Sequence, residues 1–353
     1  MVSVSGGKDS TVVYNLALQV ARERGRLPLK VCFLDQEAEW LATIVEIRKI
    51  MYNPEVEPVW LQIPFKLFNA TSFKTHWLQC WAPGEEHIRD YDPIARTENI
   101  YGTERFGELF PAILRHEFKG KKAVFIAGVR CEESPRRAQG LTGGHTYGGV
   151  TWGKRLTDDQ YTLYPIYDWT YRDVWKSIHE NGWSYCAIYD KMYQYGTSIH
   201  DMRVSNLHHE TAVRSLFILQ EMEPENYNAI VSRIEGVDMA GKMAWDDFFC
   251  PKKLPYMFRD WKEYRDFLLE KLIDNPAWRE GFKKKFAEME DKMLWIFGEK
   301  LYQRHITSIL TNDWEHVKLT NIVIPREKYD EYKRREAAKA ASKKINLASQ
   351  VVR

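Results

Sequence analysis

The sequence predicts an α/β domain built on a doubly wound, mostly parallel sheet, followed by a helical C-terminal domain. Three observations carry this expectation. Short apolar runs of strand length alternate with stretches of helical periodicity through the first half of the chain. A glycine turn, Ser5-Gly6-Gly7-Lys8-Asp9-Ser10, joins the first strand to the first helix without a spacer. Beyond about residue 186 the strand signal stops and helical periodicity alone remains. Strands that alternate with helices pair in parallel, because a parallel partner needs a long crossover.

The elements follow in order. Val2-Ser3-Val4 reads as the end of a short strand. From Ser10 onward Val12, Val13, Leu16, Leu18, Val20 and Ala21 recur at helical spacing. Leu29 to Leu34 is an apolar run of strand length ended by Asp35. Trp40 to Met51 is helical, with Leu41, Ile44, Val45, Ile47 and Ile50 on its apolar side, and Pro58 to Ile63 is the third strand. Phe110 to Phe118 reads as a helix with Pro111 in its first turn, where no amide donor is required. Ala123 to Val129 is the best strand in the chain, and Thr162 to Ile166 is the fifth. Residues 139–160 carry Gly140, Gly143, Gly144, Gly148, Gly149 and Gly153, which favours a surface loop, with a lid over the site as the functional alternative. The helices expected later are His208 to Met222, Asn226 to Ile234, Trp261 to Ile273 and Asn275 to Ile306. The tail from Pro325 to Lys344 is rich in Lys, Arg, Glu and Ala and reads as a solvated helix or a frayed end, with a nucleic-acid or partner contact the alternative. The expected division is residues 1–185 and 186–353.

Composition narrows the function classes. The 353 residues are too many for one core of ordinary size. A net charge of +2 gives DNA or RNA binding no general support, so any such contact would need a local patch. Five cysteines, Cys32, Cys80, Cys131, Cys186 and Cys250, are scattered without a CxxC pair. That argues against a disulfide framework, a zinc site or an iron-sulfur run, and fits a reducing cytoplasm. No run of 18 apolar residues is present, so no membrane span is expected. His87, His145, His200, His208 and His209 have no metal-ligand spacing.

The turn at 5–10 carries the chemistry. A helix N-terminus presents unpaired amide N–H groups and a partial positive charge, and both favour phosphate. Gly6 and Gly7 allow a positive φ and close backbone approach. Ser5 and Ser10 offer hydroxyls, Lys8 offers a cation, and Asp9 offers a carboxylate that could hold Mg2+. The string is not a Walker-A loop, which requires GxxxxGK[ST]. A second segment, Gly128-Val129-Arg130-Cys131-Glu132-Glu133-Ser134-Pro135-Arg136-Arg137-Ala138, follows the best strand. Arg130, Arg136 and Arg137 suit phosphate or sulfate by their forked geometry, although a surface cluster paired with Glu132 and Glu133 would have the same composition. In Tyr164-Pro165-Ile166-Tyr167-Asp168-Trp169-Thr170-Tyr171-Arg172-Asp173-Val174-Trp175, Thr170 and Asp173 form a capping box for the next helix, and Asp168 is a lesser functional candidate.

The Ser-Gly-Gly-Lys-Asp-Ser string resembles the signature of the PP-loop ATP pyrophosphatases, and its lysine form resembles the phosphoadenosine phosphosulfate (PAPS) reductase branch. The Gly128–Ala138 and Pro165–Thr170 segments resemble that branch as well. The resemblance covers roughly residues 1–190. It implies a Rossmann-like (HUP-type) fold whose first and fourth strands are neighbours, so that the loop at 5–10 and the arginines at 130–137 face one nucleotide. It implies ATP or a related adenine nucleotide as ligand, with Mg2+ at Asp9. Ser5, Gly6, Gly7, Lys8, Asp9, Ser10, Asp35, Gly128, Arg136 and Arg137 would bind the nucleotide, with Lys8, Asp9 and Arg130 acting in catalysis. Asp35 corresponds to the family's acidic strand end near the adenosine; on its residues alone it could bind ribose or metal, or cap the helix at Trp40. The helical remainder resembles a narrower branch of phage or prophage co-activators of gene expression that associate with a ParB/sulfiredoxin-like partner. The chain departs from the reductases in lacking a Glu-Cys-Gly-like motif, its last cysteine being Cys250 in Phe-Phe-Cys-Pro. The chemistry that survives this departure is attack on the α-phosphate of ATP, as in an adenylyltransferase.

Overall fold

The first strand, β1 (Val2–Ser3), lies in the interior of a six-stranded sheet. On one side it runs parallel to β2 (Leu29–Leu34), which runs parallel to β3 (Val56–Leu61). On the other side it runs parallel to β6 (Ala123–Ile126), and β6 runs parallel to β8 (Gln160–Leu163). The edge strand β7 (Gly153–Thr157) pairs antiparallel with β8. A separate two-stranded sheet pairs β4 (Phe65–Phe68) antiparallel with β5 (Trp77–Cys80). These features come from a computed structural model, which describes residues 1–68, 77–142, 147–199, 202–204, 213–234, 250–251, 253–320, 322–335 and 337.

The strand order reverses between β1 and β6. The chains leaving these neighbouring strands diverge to opposite directions of the sheet and leave a crevice at their carboxyl ends. The crevice is the place that the α/β prediction reserves for a ligand, and the loops after β1 and β6 both open onto it. The doubly wound, mostly parallel α/β architecture with a helical C-terminal region is therefore the one expected from the sequence.

Burial follows the apolar spacing. Helix α1 (Lys8–Glu23) places Val12, Val13, Leu18 and Ala21 in the core. Helix α2 (Leu41–Met51) adds Ile44, Ile47, Ile50 and Met51, and α5 (Tyr171–Asn181) adds Val174 and Ile178. Trp169 and Trp175 pack against the same cluster while remaining partly exposed. The expected capping box starts α5: Thr170 Oγ1 accepts from Asp173 N at 3.3 Å, and Asp173 Oδ2 accepts from Thr170 N at 2.8 Å. Gly182, in the left-handed region at φ 60°, ends that helix.

Several boundaries differ from expectation. Helix α3 runs Phe106–Glu117, so Pro111 sits inside it rather than in its first turn, at the cost of one backbone bond. The strand expected to reach Val129 stops at Ile126, because residues 127–130 leave the ladder to form a loop. The glycine-rich stretch is not a single loop. It overlaps α4 (Pro135–Thr142) and contains β7, with a turn through Gly148 and Gly149, both at positive φ; residues 143–146 lie outside the described residues. The helix expected over 275–306 is two helices, Pro276–Phe297 and Lys300–Leu310, divided at Gly298, where φ is 55°. His208 and His209 lie outside the described residues, as does the tail beyond residue 337.

Described residues of Met1–Phe68 and Trp77–Lys242 form one compact unit, and those from Met243 to Arg353 form another. The first takes in α6 (Ile188–Gln194), α7 (Val213–Met222) and α8 (Pro224–Arg233). Glu223, just ahead of α8, accepts from the amides of Leu41 at 2.8 Å and Ala42 at 3.1 Å, and so caps a helix that its own N-cap, Trp40, leaves uncapped. The second unit packs Phe282, Phe286, Met289, Ile306 and Ile309 between its helices. Inside it His305 lies flat on Phe286, with ring centroids 4.1 Å apart, and its Nδ1 is 3.0 Å from Arg265 Nη1. No helix among the described residues is long and apolar enough to cross a membrane.

Two buried groups make stability respond to pH in opposite senses. Glu39 is 6% exposed, and burial, reinforced by Asp35, pushes its carboxyl up to about 8 from 4.5. The folded chain therefore holds a proton between those values that the unfolded chain gives up, so rising pH weakens the first unit through this window. The slope is about 1.4 kcal/mol per pH unit. His305 behaves the other way: burial, then Arg265, lowers it from 6.5 to about 3. Its contribution is present above the unfolded value and is lost as pH falls from 6.5 towards 3. Urea unfolding across this range is expected to show E39Q losing the alkaline slope of the first unit and H305Q losing the acid slope of the second. Unchanged slopes would contradict the buried states described.

Candidate functional site

The loop after β1 turns into α1 within four residues, and local bonds hold it in shape. Ser10 Oγ accepts from Ser5 N at 3.1 Å, lies 3.2 Å from Ser5 Oγ, and donates to Gly7 O at 2.9 Å. Ser5 and Ser10 thus spend part of their hydrogen-bonding capacity on building the turn. Gly6 is at φ 70°, and a Cβ there would fall 2.4 Å from Thr43 Cγ2 on α2. Both facts require glycine. Gly7 is the N-cap of α1 and has no side chain with which to cap it. Among the described residues no group accepts from the amides of Gly7, Asp9 or Ser10. Those donors, at the positive end of a 16-residue helix, are suited to an anion.

Gly128 brings the second loop in. A Cβ on it would lie 2.6 Å from both the carbonyl carbon and the oxygen of Asp9, and 2.8 Å from Ser10 N. The chain leaving β6 therefore lies directly on the first turn of α1. Two residues later Arg130, 4% exposed, reaches the loop side chains. Its Nε donates to Asp9 Oδ1, and its Nη1 donates to Glu132 Oε2 at 2.5 Å. Lys8, 8% exposed, donates from Nζ to Asp9 Oδ2 at 2.9 Å. The guanidinium of Arg130 is held above its ordinary range: burial works against this, and Asp9 and Glu132 overcome it. Arg130 remains a full cation.

The structure thus gathers Ser5, Gly6, Gly7, Lys8, Asp9, Ser10, Gly128 and Arg130 at one place. Asp35 is engaged by other partners, and Arg137 is linked to Arg130 through Glu133. Asp35 is fully buried, and four donors reach its two oxygens: Glu37 N at 3.0 Å, Trp60 Nε1 at 3.0 Å, Gln62 Nε2 at 3.1 Å, and Arg89 Nη2. In this arrangement its carboxylate orders the segment after β2 and has no oxygen turned to solvent. Arg137 pairs with Glu133 one helical turn before it, and Glu133 Oε1 accepts from Arg130 N at 2.9 Å. Arg136 lies in α4, and its side chain is outside the described set.

Two participants were not singled out in the sequence. The hydroxyl of Tyr189, on α6, accepts from Lys8 N at 3.1 Å, and Lys8 Nζ lies 5.5 Å from the centre of the Tyr189 ring. This aromatic is buried, and burial raises its hydroxyl far above the ordinary value, so it stays protonated. It stands 181 residues from Lys8 in the chain, beyond the reach of any local pattern. Glu132 was noted only as one of an acidic pair. Its Oε2 also accepts from Tyr171 N at 2.6 Å, which fastens the Arg130 partner to the N-terminus of α5.

A resident Mg2+ does not fit these residues. Both oxygens of Asp9 already face cations, which leaves neither free for a metal ion in this arrangement. The pocket of about 350 Å3 lined by Met1, Phe118, Lys122, Tyr147 and Tyr161 involves none of the loop residues. The contact at Gly128 gives a direct test. G128A is expected to cost roughly 1–3 kcal/mol, because the methyl meets backbone on α1 that cannot move alone. Chemical denaturation would measure the loss, and a change within error would show that the two loops do not lie as close as described.

The C-terminal residues 196–334 match a domain of unknown function (DUF3440). The chain is 29% identical over 312 residues to the uncharacterized protein YbdN of Escherichia coli (strain K12), covering 81% of this chain and 73% of that protein. A crystal structure of phosphoadenylyl-sulfate (PAPS) reductase from Candida auris in a phosphate complex aligns at 11% identity and a TM-score of 0.29, over 54% of this chain and 75% of that one. Residues 1–199, which hold both loops and Tyr189, match the phosphoadenosine phosphosulfate reductase domain, and since that match spans more than half of its length the chain belongs to this family.

Proposed function

We propose that this protein binds an adenine nucleotide, ATP in the first instance, with its phosphates on the loop of residues 5–10, and that it acts at the α-phosphate to adenylylate an acceptor. The observation that carries the reading is the meeting of the loop amides with Lys8 and Arg130 at the point where the strand order reverses. The family is named for an adenine nucleotide carrying phosphate and sulfate groups.

In this reaction an acceptor nucleophile forms a bond to the α-phosphorus while the bond to the bridging oxygen breaks, and pyrophosphate leaves with the electron pair. Charge builds on the non-bridging oxygens and on the leaving group. The loop amides, Lys8 and Arg130 are positioned donors for that charge, and Lys8 and Arg130 are buried enough to act strongly. Mg2+, if it enters, would come with the polyphosphate and add further charge neutralisation. Reduction of a sulfonate by a thiolate is less well supported within this chain. Cys32, Cys80 and Cys186 are buried, burial pushes the Cys250 thiol up to about 12, and Cys131, partly exposed beside Arg130, lacks the Glu-Cys-Gly-like setting of the reductases.

A second reading is a nucleotide-sensing regulator that acts through a protein such as a ParB/sulfiredoxin-like partner. The missing Glu-Cys-Gly-like motif motivates it. The two readings differ in product. Under the first, incubation with ATP and Mg2+ followed by mass spectrometry yields AMP or an adenylylated acceptor together with pyrophosphate. Under the second, ATP binds and returns unchanged. K8A is expected to weaken ATP binding by about tenfold or more, as befits loss of a charged hydrogen-bond donor. Calorimetry showing no ATP binding by the unaltered protein would defeat both readings.

A further inference from the structure

We infer that Asp9 is a built-in counter-anion rather than a metal ligand: it occupies Lys8 of the phosphate loop and Arg130 of the loop after β6, and an incoming phosphate must displace it. The inference deepens the nucleotide reading above and rests on it. Lys8 Nζ and Arg130 Nε take separate oxygens of the Asp9 carboxylate, so the residue bridges the loop after β1 and the loop after β6. The bridge is largely shielded, with the side chains of Lys8, Asp9 and Arg130 10%, 14% and 5% exposed. Ion pairs in such surroundings are screened much less than surface pairs. A phosphoryl group seeks the same two cations.

The neighbouring carboxylate shows why Asp9 is the one to yield. Glu132 is held by Arg130 and also by the amide of Tyr171 at the start of α5. Asp9 accepts only from the two cations among the described residues. It is attached to the first turn of α1, whose unpaired amides repel no anion that takes its place. The loop cations are therefore already met by carboxylates, and a free phosphate gains only the difference between its own attraction and that of Asp9. Selectivity follows: weak or singly charged anions fail to displace Asp9, and polyphosphates succeed.

The test is binding of inorganic pyrophosphate by calorimetry, with EDTA present and again with Mg2+, to the full chain and to D9N. If Asp9 is the competitor, D9N binds metal-free pyrophosphate at least about tenfold more tightly than the unaltered protein. A metal ligand would give the opposite pattern: metal-free binding unchanged, and binding with Mg2+ weakened. That pattern, or equal binding throughout by a D9N protein with unchanged circular dichroism, would overturn the inference and leave the nucleotide reading standing. Absence of pyrophosphate and ATP binding by the unaltered protein, with or without Mg2+, would overturn both. D9A serves if D9N does not fold. It also removes the carboxylate shared by Lys8 and Arg130 and is expected to tighten metal-free binding in the same direction; no tightening there overturns the inference equally.

Discussion

The site depends on a bare α-carbon. At Gly128 the chain leaving β6 lies against the carbonyl of Asp9 and the amide of Ser10, where any Cβ would collide with backbone. That approach lets Arg130 reach over the first turn of α1 and share a carboxylate with Lys8. Glycine at 6 does the corresponding work on the other side, seating the turn against Thr43 of α2. The loop is therefore clamped between two neighbours by the absence of side chains. The amides of Gly7 and Asp9 keep no partner among the described residues, while Lys8 N is taken by Tyr189 and Ser5 N by Ser10.

A second constraint acts at the end of β2. Asp35, Glu37 and Glu39 bury three carboxyl groups within five residues, an arrangement that is costly unless each finds compensation. Each does so differently. Asp35 collects four donors. Glu37, at φ 66°, takes the amides of Trp81 at 2.6 Å and Ile88 at 3.2 Å and faces Arg233 at 3.2 Å. Glu39 keeps its proton. The second neighbour of this segment is α8: Arg233 pairs with Glu37, Asn226 donates to Glu39 O at 3.0 Å, and Glu223 caps α2. Helix α8 lies within the region matched by the domain of unknown function. It therefore buttresses the segment after β2, and the conformation of residues 35–42 depends on chain that begins nearly 200 residues later.

These long-range bonds explain what was legible in the sequence. The parallel core, the loop at 5–10 and the capping box at Thr170 were readable because each is written in neighbouring residues: an apolar run, a glycine pair, a four-residue spacing. The role of Gly128 was half readable, since its place after the strongest strand was evident but the backbone it touches was not. The division of labour among the acids could not be read. Asp9 and Asp35 are both acids close to the end of a strand, and only the fold makes one a bridge between cations and the other a fully bonded internal post. Tyr189 could not be found either, because nothing near it in sequence refers to Lys8.

The same reasoning bears on how the site can work. A phosphate loop with unpaired amides at Gly7 and Asp9 but with its cations already paired is partly prepared for its ligand and partly closed to it. The amides have fixed directions and cost little reorganisation when an anion arrives. The cations must first exchange a carboxylate for a phosphoryl group. Tyr189 makes the exchange local: by taking the Lys8 amide it fixes the backbone of the residue whose side chain must let go of Asp9. The backbone of Lys8 thus stays put while its ammonium changes partner. A site built this way discriminates by charge density, because only a ligand that satisfies Lys8 and Arg130 together recovers what the loss of Asp9 from both of them takes away.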